Sequence, residues 1–261
     1  MSGFSSDIPD DVLVSRVHDK LRTAERGRKS FLPFLDGRQS EVVKTAVKSA
    51  GFDAHGGCFV SYGGYPDAER LAFGFISPES GEDAGCIPIK WLCIDGNGFN
   101  EFSHRDVLGA VLSLGIRREF IGDILLISPG KAYVAVFDEQ DTIAEHIASS
   151  LERIGRGGVT TKTENKGFVP SFTRTFERIR GTCASPRFDA IISEICNIPR
   201  SEAKQLIESE LAVLNYSAAR PDRILMPNDI FSVRGYGKFI FISTDGTNKR
   251  DRIRFICDKY I

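Results

Sequence analysis

The sequence predicts an α+β chain in three parts, and three observations point to it. Apolar residues repeat at helical spacing only in short stretches. Between them lie runs rich in aromatic and β-branched residues at 71–77, 87–94, 122–128 and 131–138, and Val159 begins one more strand. Near the C-terminus two short helical patterns follow each other across a break and give way to strands. The middle order, β-β-α-β-β-α-β, fits a ferredoxin-like antiparallel sheet with its helices on one face. The expected parts are a small helical N-terminal region over 1–66, an α+β domain over 67–165 and a third unit over 178–261. At 261 residues the chain can build two or three cores.

The elements follow in order. Residues 10–26 read as a helix that Asp10 or Asp11 can cap, with Val14, Val17, His18 and Leu21 on one side. F-L-P-F-L-D at 31–36 reads as a turn whose aromatics plug a core. Residues 38–50 form a second helix, with Val42, Val43, Ala46, Val47 and Ala50 inward and Gly51 as its stop. The run Tyr62-Gly63-Gly64-Tyr65 reads as a turn, because adjacent glycines permit positive φ and a close backbone approach. Ser103 is the expected N-cap of a helix with Val107, Leu108, Val111 and Leu112 inward. Pro129-Gly130 turns a hairpin, and residues 139–153 form a further helix.

Composition is that of an ordinary globular chain, 41% hydrophobic and 26% charged. No run of 18 apolar residues occurs, so no membrane span is expected. The polar, acidic N-terminus lacks the pattern of a secretory leader. Six cysteines without a C-x-x-C pair read as buried free thiols of a reducing cytoplasm. The net charge of −1 hides an asymmetry. Residues 178–261 carry 14 Lys and Arg against 10 Asp and Glu, whereas residues 1–177 carry 20 against 25. The C-terminal third is the basic part.

That third holds the pattern around which the chain is organised. Phe188, Ile191, Ile192 and Ile195 form one apolar stripe, and Ala203, Leu206 and Ile207 form the buried side of the second helix. Arg200 and Lys204, four apart, share an exposed face that Arg187 can join, a shape suited to a phosphate backbone. R-F-D at 187–189, P-R-S-E-A-K-Q-L-I at 199–207, Asn215 and N-D-I-F-S-V-R at 228–234 resemble the S-four RNA-binding domain. The resemblance implies RNA contacts from Arg187, Arg200, Ser201, Lys204, Gln205, Asn215, Arg234 and Lys238. Phe188, Glu210, Ala212 and Asn228 depart from its pattern. Glu210 stands where a glycine usually ends the helix in a left-handed conformation, which costs a non-glycine residue about 1 kcal/mol. Its charge near the basic face would weaken RNA binding slightly.

A second resemblance covers most of the chain. S-Y-G-G-Y-P-D-A-E-R at 61–70, S-H-R-D-V-L-G at 103–109, G-I-R-R-E-F-I-G-D-I at 115–124 and G-Y-G-K-F at 235–239 are similar to segments of the bacterial YlmH family. That resemblance implies an RNA-recognition-like middle domain, although no RNP-type signature such as K-G-F-G-F-V is present. It implies a cytoplasmic, non-enzymatic RNA-binding protein that associates with the large ribosomal subunit. Its partners would be ribosomal RNA and peptidyl-tRNA, in the rescue of stalled translation products. No cofactor, metal, DNA or membrane partner is expected. A second RNA contact would come from Tyr62, Gly63, Gly64, Tyr65, Arg70, Arg105, Arg117 and Arg118.

Catalytic readings are weaker. His104-Arg105-Asp106 lacks the Asn that a kinase loop needs at position 111, which is Val. It also lacks the H-R-L-D and T-S-G of pseudouridine synthases, and no H-I-G-H or K-M-S-K-S marks a tyrosyl-tRNA synthetase. His104 reads as a cap-region side chain oriented by Asp106 or a carbonyl. His55 and Cys58 have no second pair to complete a metal site. Two rival functions stay open. One is an RNA-modifying enzyme whose site lies around Tyr62–Arg70 and His104–Asp106. The other is a cell-division scaffold that binds protein.

Overall fold

The computed structural model describes residues 8–52, 58–77, 83–98, 100–248 and 250–261. His55 and Lys249 therefore lie outside the described residues, as does the side chain of Cys58. The chain divides into two compact units, Met1–Phe172 and Thr173–Ile261. Among the described residues no helix is long and apolar enough to cross a membrane.

In the first unit, helix α1 (Asp10–Glu25) buries Leu13, Val17, Leu21 and Ala24, a stripe at helical spacing that leaves His18 exposed. Pro9, not an aspartate, occupies its N-cap, and Asp10 instead pairs with Arg38 at 2.8 Å. Helix α2 (Gly37–Ser49) starts at a capping box in which the Asp36 carboxylate accepts from the Gln39 N–H and the Gln39 side chain accepts from Asp36 N–H. The stretch expected as a turn at 31–36 is strand β1 (Ser30–Leu35). Its Pro33 is accommodated because β1 is an edge strand with a register shift between Leu32 and Leu35. Strands β2 (Cys58–Tyr62) and β3 (Leu71–Ile76) complete a three-stranded sheet of order β1-β3-β2. Strand 71–77, expected to open the middle domain, thus belongs to the N-terminal sheet.

The middle sheet consists of β4 (Ile89–Asp95), β5 (Ile121–Ser128), β6 (Lys131–Phe137) and β9 (Thr160–Thr163), in the order β5-β6-β4-β9 and antiparallel throughout. With α3 (His104–Ser113) and α4 (Ile143–Ser150) inserted, the order is β-α-β-β-α-β, the ferredoxin-like arrangement. A small hairpin, β7 (Arg153–Ile154) with β8 (Gly157–Gly158), precedes β9. Helix α4 is shorter than the expected 139–153. The buried Asp138 carboxylate accepts the N–H groups of Thr142, Ile143 and Ala144 and so fixes its start.

Alternation along these strands sorts their side chains into two cores. Leu92, Ile94, Ile124, Val134 and Val136 pack under α3 and α4. Trp91, Leu125, Ala135 and Phe137 pack on Phe31, Phe34, Tyr65 and Ala72 from the N-terminal part. The unit is therefore layered helix, sheet, sheet, helix.

The second unit has a five-stranded antiparallel sheet of order β10-β14-β13-β12-β11. Its strands are β10 (Phe176–Cys183), β11 (Ala212–Leu214), β12 (Ile230–Val233), β13 (Gly237–Thr247) and β14 (Ile253–Tyr260). Helices α5 (Phe188–Cys196) and α6 (Arg200–Glu208) bury Phe188, Ile191, Ile192, Ala203 and Ile207 against Phe231, Phe239, Phe241, Phe255 and Cys257. The C-terminal strand is an interior one: β14 lies between β10 and β13. Burial pushes the Cys257 thiol up to about 12 and that of Cys196 to about 11, so both stay protonated at neutral pH.

Candidate nucleic-acid interface

The helix pair of the second unit brings Arg187, Arg200, Ser201, Lys204 and Gln205 onto the side of the sheet that α5 and α6 cover. Arg187 is the N-cap of α5 and Arg200 the first residue of α6. Both reach Asp189, whose side chain is wholly buried. Arg187 donates Nε at 3.2 Å and an Nη at 3.0 Å, and Arg200 donates at 3.0 Å. Burial alone would raise the Asp189 pKa, but the bonds from the two guanidiniums outweigh it and hold the carboxyl below its usual value. One buried carboxylate thus pins two arginines at the mouth of the helix pair and leaves a surplus of positive charge. Ser201, Lys204 and Gln205 are exposed on α6.

The remaining predicted contacts fall elsewhere. Asn215, at φ 47°, donates to the Asp229 carboxylate at 2.8 Å and accepts from Ile230 N–H at 2.9 Å, so its amide pins the loop before β12. Arg234 is exposed at the end of β12. Lys238 projects from the opposite face of the sheet, since its neighbours Phe239 and Phe241 point into the helix-side core. It does not join the Arg187–Arg200–Lys204 face.

The segments proposed as a second contact converge in the first unit. The Asp123 carboxylate accepts the Tyr65 hydroxyl at 2.8 Å, Glu69 N–H at 2.7 Å and Arg70 N–H at 3.1 Å. The Arg70 guanidinium donates to the carbonyls of Ile121 at 3.1 Å and Phe34 at 2.8 Å. Arg118 donates to the same Ile121 carbonyl. Burial, reinforced by the Arg70 cation, brings Arg118 down to about 10 against the pull of Asp123 and Asp36. His104 lies in the same field: desolvation and Arg118 lower its pKa.

This convergence is what a catalytic reading would require, but the groups are committed to structure. The Asp123 oxygens and the Arg70 donors are engaged by the protein itself. Asp106 forms a capping box with Ser103, accepting Ser103 N–H at 2.9 Å, so its carboxylate serves the start of α3. The glycine pair is explained by packing. A Cβ on Gly63 would lie 2.1 Å from that of Ala68, and Gly64, at φ +96°, sits against the Trp91 ring. Gly63, Gly64 and Tyr65 are buried. Tyr62 is half-buried, and Arg105 and Arg117 are exposed. Arg117 pairs with Glu119 at 2.9 Å and lies 4.7 Å from the centroid of the Phe120 ring.

The sheet face that RNA-recognition domains use lies opposite their helices. Here that face carries Trp91, Ala135 and Phe137 and is closed by the N-terminal strands. Sequence reasoning missed this because β1 was read as a turn. It also missed Asp189 as the organising carboxylate, although R-F-D places it two residues after Arg187.

A ferredoxin-like domain within a larger α+β chain, followed by a basic helix pair on a sheet, is the class of architecture found. Residues 92–166 match the family model described as "Putative RNA-binding domain in YlmH". Over 236 residues the chain is 26% identical to the ribosome-associated protein quality control protein P2 of Bacillus subtilis (strain 168), covering 88% of this chain and 87% of that protein. Its fold is similar to that of the cell division protein ylmH from Streptococcus pneumoniae, with a TM-score of 0.50 and 18% identity over 63% of this chain and 95% of that one. The resemblance to the YlmH family read from the sequence is thereby borne out.

Proposed function

We propose that this chain is a non-enzymatic, cytoplasmic RNA-binding protein that associates with the large ribosomal subunit. There it contacts ribosomal RNA and peptidyl-tRNA in the handling of stalled nascent chains. The observation that carries this reading is the rim of the α5–α6 pair. Arg187 and Arg200 are pinned by the buried Asp189, and Lys204 is presented one turn along α6. Such a rim, in a unit that resembles the S-four domain, grips phosphates with arginines already held in place. The match of residues 92–166 and the ribosome-associated relative support the same reading. The engaged state of Asp123 and Asp106 speaks against the modifying-enzyme alternative.

Co-sedimentation with separated ribosomal subunits across a salt series tests the proposal. Wild type is expected to pellet with large subunits, less so as salt rises. Lys204→Glu is the cleaner variant, because Arg200 also satisfies Asp189. Loss of one phosphate contact should flatten the log–log salt dependence by about one unit. A wild-type protein that pellets with neither subunit at low salt would overturn the reading.

A further inference from the structure

The five-stranded sheet of the second unit has helices on one face only. Residues 239, 241, 255 and 257 enter the helix-side core, so alternate residues of the same strands face the other way. Strand pairing confirms the set: Phe176 lies opposite Tyr260, Arg178 opposite Asp258 and Arg180 opposite Ile256. This second face carries a continuous array of cations and rings. The Lys238 ammonium lies 5.2 Å from the Tyr216 ring centroid and 4.8 Å from that of Tyr260. The Arg174 guanidinium lies 5.3 Å from the Tyr260 ring, and Phe176 meets Tyr260 edge-on at 5.1 Å. Phe176 is 41% exposed at the margin of the array.

Positive charge predominates on this face. Arg178, Arg180, Lys238 and Arg254 occupy it, against Asp258, which Arg178 holds through two bonds of 2.9 and 3.0 Å, and Asp245 near the far end of β13, whose carbonyl accepts from Arg254. Arg180 stands beside the half-buried Ile256. A large exposed ring beside cations spaced along strands is the arrangement by which sheets hold single-stranded nucleic acid. Bases stack on rings while phosphates meet the cations. A protein partner would be expected to need acidic groups to match. The middle domain cannot serve in this way, because the equivalent face of its sheet is closed.

We infer that the open face of the C-terminal sheet is a second RNA-binding surface, distinct from the α5–α6 rim, that takes a single-stranded segment with a base stacked on Phe176 and phosphates on Arg180 and Lys238. The inference rests on the RNA-binding reading above and adds a surface and a substrate class to it. Two faces of one sheet would then hold two stretches of RNA, which raises the affinity of the whole through effective concentration.

The test uses the full chain and a fluorescein-labelled oligouridine of about ten nucleotides, followed by fluorescence anisotropy. Phe176→Ala should weaken binding at least about fivefold, the loss expected from one stacked base. Phe176→Tyr, which keeps a ring, should restore it. Arg180→Ala should reduce the salt slope by about 0.7, the value for one phosphate of a single strand. Lys204→Glu should weaken subunit pelleting far more than it weakens oligouridine binding. Thermal melts of each variant identify any that fail to fold, and the exposed Phe176 and Arg180 should not. The inference is overturned if wild type pellets with subunits but binds no oligouridine, or if folded Phe176→Ala binds as wild type does. Binding to neither oligouridine nor subunits overturns the RNA-binding reading itself.

Discussion

Asp189 shows how one residue can set both stability and charge. Its carboxylate is buried and bonded by Arg187 and Arg200. Removing one of two partners leaves it under-compensated, so Arg200→Ala should destabilise the second unit by about 1–3 kcal/mol in urea titrations. Its folded pKa lies below the ordinary carboxylate value. The stabilisation it provides is therefore complete above the unfolded value of about 3.9 and disappears as pH falls through the folded one. Asp189→Asn should be less stable than wild type at pH 7, and the gap should close in acid melts below about pH 4. A gap that stays constant down to pH 2 would show that Asp189 acts by shape and not by charge. Residue-level chemistry of this kind was only half legible in the sequence. The cations Arg187, Arg200 and Lys204 could be seen from spacing, while the acid that holds two of them could not, because nothing in R-F-D says which way an aspartate points.

At the scale of elements, helix ends were the most legible features where a single side chain decides them. Ser103 caps α3 as its position suggests, with Asp106 completing the box. A glycine is usual at position 210, and Glu210 does adopt φ 56° just beyond Ser209, the C-cap of α6. Asn228, the other residue standing in for a glycine, sits at φ 73°. Glu210→Gly should therefore raise stability by up to about 1 kcal/mol, measured as a shift in the urea midpoint at constant slope. An unchanged or lowered midpoint would mean that the glutamate makes compensating contacts. Strands were harder to read. β1 carries a proline in its middle and buries residues in succession, so neither period stands out. β10 places Glu177, Ile179, Gly181 and Cys183 towards one side and Phe176, Arg178, Arg180 and Thr182 towards the other, which hides its alternation. Such strands are defined by their partners, and partners distant in sequence are what local patterns do not contain.

For the molecule as a whole, the decisive relation is that between the N-terminal strands and the middle sheet. The ferredoxin-like order was readable from the succession of helical and strand-like runs. The use of its second face was not, because it depends on β1 and β3 folding back over Trp91, Ala135 and Phe137. That packing joins the N-terminal strands and the middle sheet through one shared core within the compact unit Met1–Phe172, and predicts that the middle domain does not fold without them. Trp91 is 3% exposed and is the chain's one tryptophan, so its fluorescence reports the contact directly. A fragment of residues 1–172 should show blue-shifted emission and one cooperative urea transition. A fragment of residues 83–172 leaves Trp91, Leu125 and Phe137 without cover. At about 25 cal/mol per Å² of apolar surface, losing that burial removes several kcal/mol, comparable to the whole stability of a small domain. It should therefore show red-shifted emission, bind a hydrophobic dye and lack a sharp transition. Blue-shifted emission and cooperative unfolding of the shorter fragment would mean that the middle sheet closes its own face, and an RNA-recognition surface on that sheet would again be open to test.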